Sequence, residues 1–295
     1  MRRPHYLLFP LILLTACNTR PAPDIVTTSF VSYDIVKNIV GDKLTVNNII
    51  PWGSELHSFE PVARDIVAIN DAKLFVYATP LLDTWVKNLV VNDNSFDMSA
   101  HYEDHHEEND DDHDHASLHF WTNPVWYVEV LDALLPIITR VSPANSHYFS
   151  ANHASYTTMI NNTTNDLRTY LTAFTNPTIY FAGHNAMDAF SDEFGLTIKS
   201  LSESYKPDID FTATDIIAVV DEMVSKNIHH LFVEELAEPR AAEVIKNEFR
   251  KHNHEIEILE LHGYHNITSS QAKENMTYAD LYETNVANIK KALNA

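Results

Sequence analysis

The sequence predicts an α/β protein of two lobes, each a parallel-type sheet flanked by helices, with one long helix bridging them. In both halves of the 295-residue chain, short apolar runs alternate with stretches of helical spacing, and this alternation is typical of parallel sheets covered by helices. Residues 144–174, between the halves, contain neither glycine nor proline and are predicted to form the bridging helix. This division places an N-terminal lobe at residues 25–143 and a C-terminal lobe at residues 175–295.

The N-terminal lobe begins with a clear helical pattern. Apolar residues at helical spacing in residues 30–40 are followed by Gly41, a common residue at the end of a helix. An alternating pattern that stops at the turn residues 51–54 predicts the next strand. The elements predicted for this lobe are helices at 30–40 and 61–68 and strands at 44–50 and 73–78.

The same rhythm returns in the C-terminal lobe. Gly195 closes one helical pattern, and Thr214 is a candidate N-cap for the next helix, because its hydroxyl can accept a hydrogen bond from the first turn. The elements predicted here are strands at 178–182, 231–233 and 256–261 and helices at 186–194, 214–224, 240–251 and 281–293.

Residues 1–17 have the order of a secretory signal. Two arginines provide positive charge near the start, residues 6–14 are a mostly apolar run too short to remain as a spanning helix, and small residues precede Cys17. The stretch Leu-Thr-Ala-Cys resembles the bacterial lipoprotein signal, so Cys17 is expected to be lipidated and residues 18–24 to form a tether. These features predict an extracytoplasmic protein, in the periplasm or at the cell surface, that is attached to a bacterial membrane through its lipid.

The composition limits the partners and the metal ligands. A formal net charge of −21 repels phosphate backbones and attracts cations, so nucleic acid is not expected as a partner. Cys17 is the only cysteine, so the mature domain has no disulfide and no thiolate metal site. Any metal must therefore be held by imidazole and carboxylate groups. The five glycines do not form a phosphate-binding loop.

One segment differs from the rest in composition. Residues 101–115 contain five histidines among eight acidic residues, a composition that cannot bury a core and predicts a mobile surface loop. Histidines interleaved with carboxylates favour an auxiliary, multidentate metal site over a merely solvated acidic loop. The histidines of this predicted metal loop are His101, His105, His106, His113 and His115.

Four other histidines lie in the predicted connections between strands and helices: His57, His119, His184 and His265. In open α/β sheets ligands bind beyond the carboxyl ends of strands, so these histidines, two from each half, are expected to face each other across the gap between the lobes. Neutral imidazole suits zinc, which takes about four ligands. Taken singly, a loop histidine is more often solvated or hydrogen-bonded than metal-bound, so the flanking sequences matter.

Four stretches of sequence, which include three of these histidines, carry a family resemblance. They are residues 51–65 (PWGSELHSFEPVARD), 118–124 (LHFWTNP), 181–190 (FAGHNAMDAF) with 194–196 (FGL), and 231–239 (LFVEELAEP). Together they resemble the metal-binding solute receptors of ABC importers for zinc and manganese, the group that includes the ZnuA, AdcA and TroA-type proteins.

The resemblance implies two α/β lobes bridged by a rigid helix, with one metal ion between them. The family's first, second and third ligands fall on His57, His119 and His184. Histidine at the third position is usual in the zinc members, whereas the manganese members tend to have a carboxylate there. Three nitrogen donors independently favour Zn²⁺ over Mn²⁺, which prefers oxygen donors.

The fourth ligand is less directly implied. The family often has Asp or Glu in the corresponding loop, and the matching stretch of this chain offers His265. His262 is the second candidate, and Glu234 is a further candidate or only an outer group behind the ligands. Some zinc members have a disulfide in the second lobe, which this chain lacks.

These expectations describe a receptor without catalytic activity. It would capture Zn²⁺ between its lobes and deliver it to an ABC permease in the cytoplasmic membrane, acting as a monomer. A cell-surface zinc hydrolase is an alternative in which Glu55 or Glu60 acts as general base, but the chain has no HExxH motif and no recognisable frame for a serine or cysteine nucleophile. A further alternative with the same site is an adhesin or metal-buffering lipoprotein without a transport role.

Overall fold

A computed structural model describes residues 22–89, 94–101, 118–184, 186–200, 212–236 and 239–294. The predicted signal with Cys17, residues 18–21 of the tether and residues 102–115 of the predicted metal loop lie outside the described residues. Within the described part of the chain, no helix combines the length and the apolar composition needed to cross a membrane.

The first sheet contains four parallel strands: β1 (Ile25–Thr27), β2 (Val46–Asn48), β3 (Leu74–Tyr77) and β4 (Ser95–Asp97). Their order in the sheet is β2-β1-β3-β4, and Ile25 pairs with Val46 on one side and with Leu74 on the other. Every residue of β1 and β3 is buried. This is expected of parallel strands that are covered by helices on both faces.

Three helices accompany this sheet: α1 (Phe30–Val40), α2 (Ala63–Asp71) and α3 (Pro124–Val141). Ser29 caps α1 by accepting a hydrogen bond from the backbone of Ser32, and Gly41 ends the helix with a φ of 56°. A positive φ of this kind is accessible to glycine without steric cost. The helix predicted at 30–40 is therefore confirmed together with its terminator.

One long helix, α4 (Ser146–Leu171), joins the two halves and confirms the predicted bridging helix. Its 26 residues extend over about 39 Å at roughly 1.5 Å per residue. A short 3-10 turn, Pro143–Asn145, precedes it. The side chains that α4 buries form one stripe against its neighbouring helices and include Phe149, Tyr156, Ile160, Leu167 and Leu171.

The second sheet repeats the topology of the first. Its parallel strands β5 (Thr178–Ala182), β6 (Thr197–Ser200), β7 (His230–Val233) and β8 (Glu257–Glu260) have the order β6-β5-β7-β8. The accompanying helices are α5 (Asp188–Phe194), α6 (Ala213–Ser225), α7 (Pro239–Lys251), α8 (Ser269–Lys273) and α9 (Tyr278–Leu293). In each sheet the strand order reverses beside the first strand, and open α/β sheets bind their ligands at such switch points.

Several predicted boundaries differ from the structure. Thr214 lies inside α6, which begins at Ala213, so it is not the N-cap. The helix predicted at 281–293 begins earlier, at Tyr278, because Thr277 caps it by accepting a hydrogen bond from the backbone of Asp280. The predicted strand at 44–50 contracts to β2, and the predicted helices at 61–68 and 186–194 begin at Ala63 and Asp188.

Some elements were not predicted at all. The longest is α3, which contains Pro136 in its interior, a residue that normally signals the end of a helix. The others are short and are set mainly by their neighbours: β1, β4, β6 and α8.

Candidate metal centre

Four histidine side chains, two from each half of the chain, converge at one point. One ring nitrogen from each of His57, His119, His184 and His265 lies within 4.8 Å of the others. Three of the four residues are buried, and His57 is intermediate. His57, His119 and His184 were predicted from their positions and flanking sequences and His265 was the first candidate for the fourth ligand; the structure brings these four together.

Each histidine comes from a different connection. His57 lies between β2 and α2, and His119 immediately precedes a short 3-10 helix (Phe120–Thr122) that leads into α3. His184 follows β5 and His265 follows β8. Both of these connections leave the carboxyl end of a parallel strand, where open α/β sheets place their ligand-binding loops.

The spacing of the rings suits a single metal ion. The Nε2 atoms of His57 and His119 are 3.3 Å apart. Two nitrogen ligands of a tetrahedral Zn²⁺ at about 2.0–2.1 Å are separated by about 3.3 Å. The six distances between ring centroids lie between 4.8 and 5.5 Å. The four rings therefore surround a common centre.

Three carboxylates orient three of the rings. Glu55 Oε1 lies 2.6 Å from His57 Nδ1, Glu234 Oε2 lies 2.6 Å from His184 Nδ1, and Glu235 Oε1 lies 2.7 Å from His265 Nδ1. A carboxylate in this position accepts a hydrogen bond from Nδ1–H, which leaves the lone pair of Nε2 free to bind a metal. Carboxylate–histidine pairs of this kind fix the tautomer and the orientation of metal-binding imidazoles.

The register of the second sheet explains two of these contacts. Ala182 of β5 pairs with Val233 of β7, so His184 and Glu234, which follow these strands, lie side by side. Val233 also pairs with Glu260 of β8, which brings Glu235 close to the loop that contains His265. The consecutive residues Glu234 and Glu235 therefore each hold one histidine of the cluster.

Two buried Nε2 atoms of the cluster lack a hydrogen-bond partner in the described part of the chain, as expected of atoms that bind a cation. Nε2 of His184 and Nε2 of His265 are buried and have no hydrogen-bond partner among the described residues. Burial of such polar atoms without a partner costs free energy. A metal ion at the common centre would satisfy both atoms, so the donor set fits a bound cation.

Electrostatics also favour the metal-binding form. Burial lowers the pKa of His119 well below its ordinary 6.5, and the neighbouring histidines lower it further. Burial likewise lowers the pKa of His265, although Glu235 opposes this shift. Both rings are therefore neutral at pH 7, which is the form that binds metal.

Two carboxylates behind the rings are ionised. Burial alone would raise the pKa of Glu55, but hydrogen bonds from the side chain and backbone of His57 and from Ser58 lower it to about 2. Burial would also raise the pKa of Glu235, and the contacts with His262, His265 and Gly263 lower it far below its ordinary value. These negative charges lie close to the centre where a cation would bind.

The other candidates lie outside the cluster of four. His262 is buried, and its Nδ1 accepts a hydrogen bond from the backbone N–H of Tyr264 at 2.9 Å. Glu234 lies behind His184 as an outer group. His101 ends a short 3-10 helix and stacks on Phe96 with ring centroids 4.4 Å apart. His105, His106, His113 and His115 lie outside the described residues.

The roles of Glu55 and Glu235 were not predicted from the sequence. Glu55 was a candidate only as the general base of a hydrolase, and Glu235 was not a candidate. The available signal was position: Glu55 lies two residues before His57, and Glu235 belongs to an acidic pair directly after an apolar strand. Without the strand register, this signal does not identify the histidine that each carboxylate contacts.

Comparison with known proteins supports the fold. The chain is 25% identical over 284 residues to the high-affinity zinc uptake system protein ZnuA of Bacillus subtilis (strain 168), covering 91% of this chain and 87% of that protein. It is 23% identical over 299 residues to the zinc-binding lipoprotein AdcA of Streptococcus pneumoniae (strain ATCC BAA-255 / R6), covering 95% of this chain but 58% of that protein. The chain thus spans little more than half of the AdcA protein.

Two solved structures have the same fold. The Zn(II)-bound ZnuA-like domain of Streptococcus pneumoniae AdcA has a TM-score of 0.75 at 21% identity, and the periplasmic zinc-binding protein TroA from Treponema pallidum has a TM-score of 0.75 at 19% identity. Each comparison covers 92% of this chain and 99% of the other. The family model of the periplasmic zinc-uptake complex component A, ZnuA, matches residues 25–292. The chain therefore belongs to the family of periplasmic zinc-uptake complex component A proteins.

Proposed function

We propose that this protein is an extracytoplasmic receptor that captures Zn²⁺ and delivers it to an ABC permease in the cytoplasmic membrane. Its ligands are His57, His119, His184 and His265. The observation that carries the proposal is the convergence of these four ring nitrogens within 4.8 Å of one another. The zinc-binding relatives ZnuA and AdcA, and the family to which the chain belongs, support the same cargo.

The chemistry of the donor set favours Zn²⁺ over Mn²⁺. All four ligands are imidazoles, and imidazole suits zinc and other late transition metals, whereas Mn²⁺ prefers carboxylate and water oxygens. Four protein ligands also complete the tetrahedral shell of zinc. The negative charge that balances the ion comes from the carboxylates that contact the histidine rings, here called the outer carboxylates, rather than from the ligands themselves.

The same geometry argues against the hydrolase alternative. A catalytic zinc site keeps one coordination position open for water, and four imidazoles fill that position. Glu55 is also engaged, because Oε1 contacts the backbone N–H and Nδ1 of His57 and Oε2 accepts the N–H of Ser58. It is not available as a general base.

We place the cargo between a lobe of residues 25–143 and a lobe of residues 175–295, with lipidated Cys17 and the tether anchoring the mature monomer to the membrane. The predicted metal loop at 101–115 ends shortly before His119. Its histidines and carboxylates raise the local concentration of cations beside the site.

Calorimetric titration tests the binding site. Zn²⁺ and Mn²⁺ are titrated into metal-free protein that begins at Ile25 and lacks residues 101–115. We expect one tight zinc site that Mn²⁺ barely populates and that His184→Ala abolishes. Absence of a tight site without the loop would overturn the four-histidine centre and leave a surface metal buffer.

A cellular experiment tests delivery. Deletion of the gene is compared with wild type for growth in zinc-depleted medium and for attachment to surfaces. Poor growth that added zinc restores supports import. Normal growth with loss of attachment would support the adhesin alternative instead.

A further inference from the structure

The loop of residues 262–268, which carries His265, is bonded to the N-terminal half of the protein. We call it the clasp loop. The side-chain amide of Asn266 donates two hydrogen bonds, to the carbonyl oxygen of Pro51 at 2.9 Å and to that of Ser54 at 2.8 Å. Asn266 is only 1% exposed, so the donating amide is buried, whereas the accepting turn is partly exposed. Its Oδ1 accepts the backbone N–H of Ile267, which fixes the orientation of the amide.

The two carbonyls belong to the turn that leads into His57. The N–H of Ser54 donates to the carbonyl of Pro51 at 3.1 Å and closes this turn, and His57 follows three residues later. Because Asn266 is next to His265 in the chain, its amide links the loop of one candidate ligand directly to the loop of another. It therefore sets the separation of the His57 and His265 loops.

A second bond joins the clasp loop to the connection that contains His119. The indole Nε1–H of Trp121 donates to the carbonyl oxygen of Gly263 at 2.9 Å. Trp121 is fully buried, and its ring contacts those of His119 and His265 at centroid distances of 5.4 and 6.0 Å. The clasp loop is thus bonded to both ligand connections of the N-terminal half.

The clasp loop is also held rigidly within its own half. Glu235 accepts the N–H of Gly263 at 2.6 Å and the N–H of His265 at 2.9 Å. Between them, Tyr264 has a φ of 62°, a left-handed conformation that is costly for a bulky side chain and persists only where surrounding contacts impose it. The loop therefore does not simply follow a movement of the N-terminal half. The three hydrogen bonds of Asn266 and Trp121 that join the two halves, the cross-boundary bonds, must then break when the halves separate.

We propose that Asn266 and Trp121 are positioning residues that control how long Zn²⁺ stays in the site. This inference rests on the receptor function proposed above and extends it to the release step. The four ring nitrogens surround one centre while the three hydrogen bonds of Asn266 and Trp121 hold the loops together. When these bonds break, His265 separates from His57 and His119, and the ion loses ligands.

The experiment measures rate constants for Zn²⁺ in the full chain. Asn266→Ala removes two cross-boundary bonds, and Trp121→Phe removes the third while it keeps an aromatic ring. The matched control is Asn285→Ala. Asn285 is equally buried and binds the same loop, but its partners, the backbone of His262 and the hydroxyl of Tyr264, lie in its own half. Stopped-flow mixing with a chromogenic chelator gives dissociation, and mixing with free Zn²⁺ gives association.

We expect dissociation of Zn²⁺ to accelerate about tenfold or more in Asn266→Ala and several-fold in Trp121→Phe, with association within about threefold of wild type. Asn285→Ala should leave dissociation within about threefold of wild type. Equal acceleration in Asn266→Ala and Asn285→Ala would overturn the proposal, as would unchanged dissociation or a loss of binding capacity without a change in rate constants. If Asn266→Ala does not fold, Trp121→Phe decides the question by the same criteria. Failure of the wild-type protein to bind Zn²⁺ tightly would instead refute the receptor function itself.

Discussion

The carboxylate of Asp34, on α1, accepts a hydrogen bond from the backbone N–H of Tyr278, the first residue of α9, at 3.1 Å. The hydroxyls of Tyr127 and Tyr156 donate to the same carboxylate at 2.7 and 2.5 Å, and the rings of Tyr127 and Tyr278 stack with centroids 3.9 Å apart. One buried acceptor thus joins α1, α3, α4 and α9. This junction connects the first and last helices of the described chain.

We expect this junction to make the stability of the protein depend on pH. Burial raises the pKa of Asp34 to about 6 from its ordinary 3.8, although hydrogen bonds from Tyr156 and Tyr127 oppose the shift. The folded state therefore binds this proton more tightly than the unfolded state. The stabilisation is complete below about pH 4 and is lost as the pH rises through about 6, by on the order of 3 kcal/mol.

Asp34→Asn should remove the dependence of the unfolding free energy on pH that comes from this carboxyl group, because an amide does not ionise. It should also destabilise the protein by about 1 to 3 kcal/mol, since the amide N–H₂ then faces the N–H of Tyr278. Urea unfolding of the metal-free protein at about pH 4.5, 5.5 and 7 gives the free energies. Asp83, whose pKa burial raises to about 7, titrates in both proteins. The prediction therefore concerns the difference in unfolding free energy between the wild type and Asp34→Asn at each pH. A difference that does not vary with pH would contradict the prediction.

Removal of the outer carboxylates should weaken zinc binding. Glu235→Ala and Glu234→Ala leave Nδ1 of His265 and of His184 without an acceptor, and loss of such partners typically costs about 10- to 100-fold in metal affinity. Glu235→Ala should have the larger effect, because Glu235 also holds two backbone N–H groups of the clasp loop. Competition with a zinc chelator measures the affinity.

The control for these carboxylates is Glu283→Ala. Glu283 is exposed on α9 and has the same charge, so it reports the effect of net charge alone. Equal losses of affinity in all three variants would mean that the overall negative charge, rather than the orientation of the histidines, supports binding.

His265→Asp should narrow the preference for Zn²⁺ over Mn²⁺ by about tenfold or more, since a carboxylate oxygen suits Mn²⁺ better than imidazole does. His265→Ala removes the ligand without supplying oxygen and should change the preference less. Both affinities are obtained by calorimetry on the metal-free variants. The same Zn²⁺-to-Mn²⁺ ratio in the two variants would show that residue 265 is not a ligand that determines the metal.

In Gly263→Ala, the added methyl group should displace the ring of His265 by steric contact. A Cβ at this position would lie 2.7 Å from Cε1 and 2.9 Å from Nδ1 of His265, which is closer than carbon and nitrogen approach without a shift. We expect zinc affinity to fall about tenfold, as one ligand of the tetrahedral set moves away. Ser270→Ala, on the exposed surface of α8, is the control. Unchanged affinity in Gly263→Ala would show that the His265 ring can move without loss of the ion.

The local pattern of the sequence predicted those parts of the protein that depend on residues close together in the chain. The helix at 30–40 follows from apolar residues at helical spacing and a terminal glycine, and the strand at 178–182 from a short apolar run before Gly183. Helix α3, which was not predicted, contains an interior proline that local rules treat as a helix breaker. The packing of its apolar face maintains the helix despite this residue.

The candidate site was likewise predictable from the sequence only in part. His57, His119, His184 and His265 became candidates because each occupies a predicted connection and the carboxyl ends of parallel strands meet at one edge of a sheet. The flanking sequences of the first three then distinguished them from ordinary loop histidines. The choice of His265 over His262 as the fourth group could not be made on this basis. In the structure, Nδ1 of His262 faces the N–H of Tyr264, whereas Nδ1 of His265 faces Glu235.

The sequence by itself therefore determined the fold class, the bridging helix and three of the histidines that meet, His57, His119 and His184, and it offered His265 ahead of His262 for the fourth. Only the tertiary structure decided which carboxylate orients which ring, how Asn266 binds the turn before His57, and which groups donate hydrogen bonds to Asp34. These contacts join residues that are up to 244 positions apart. They depend on strand register and helix packing, whereas the periodicity of a sequence reports only which face of each element is buried.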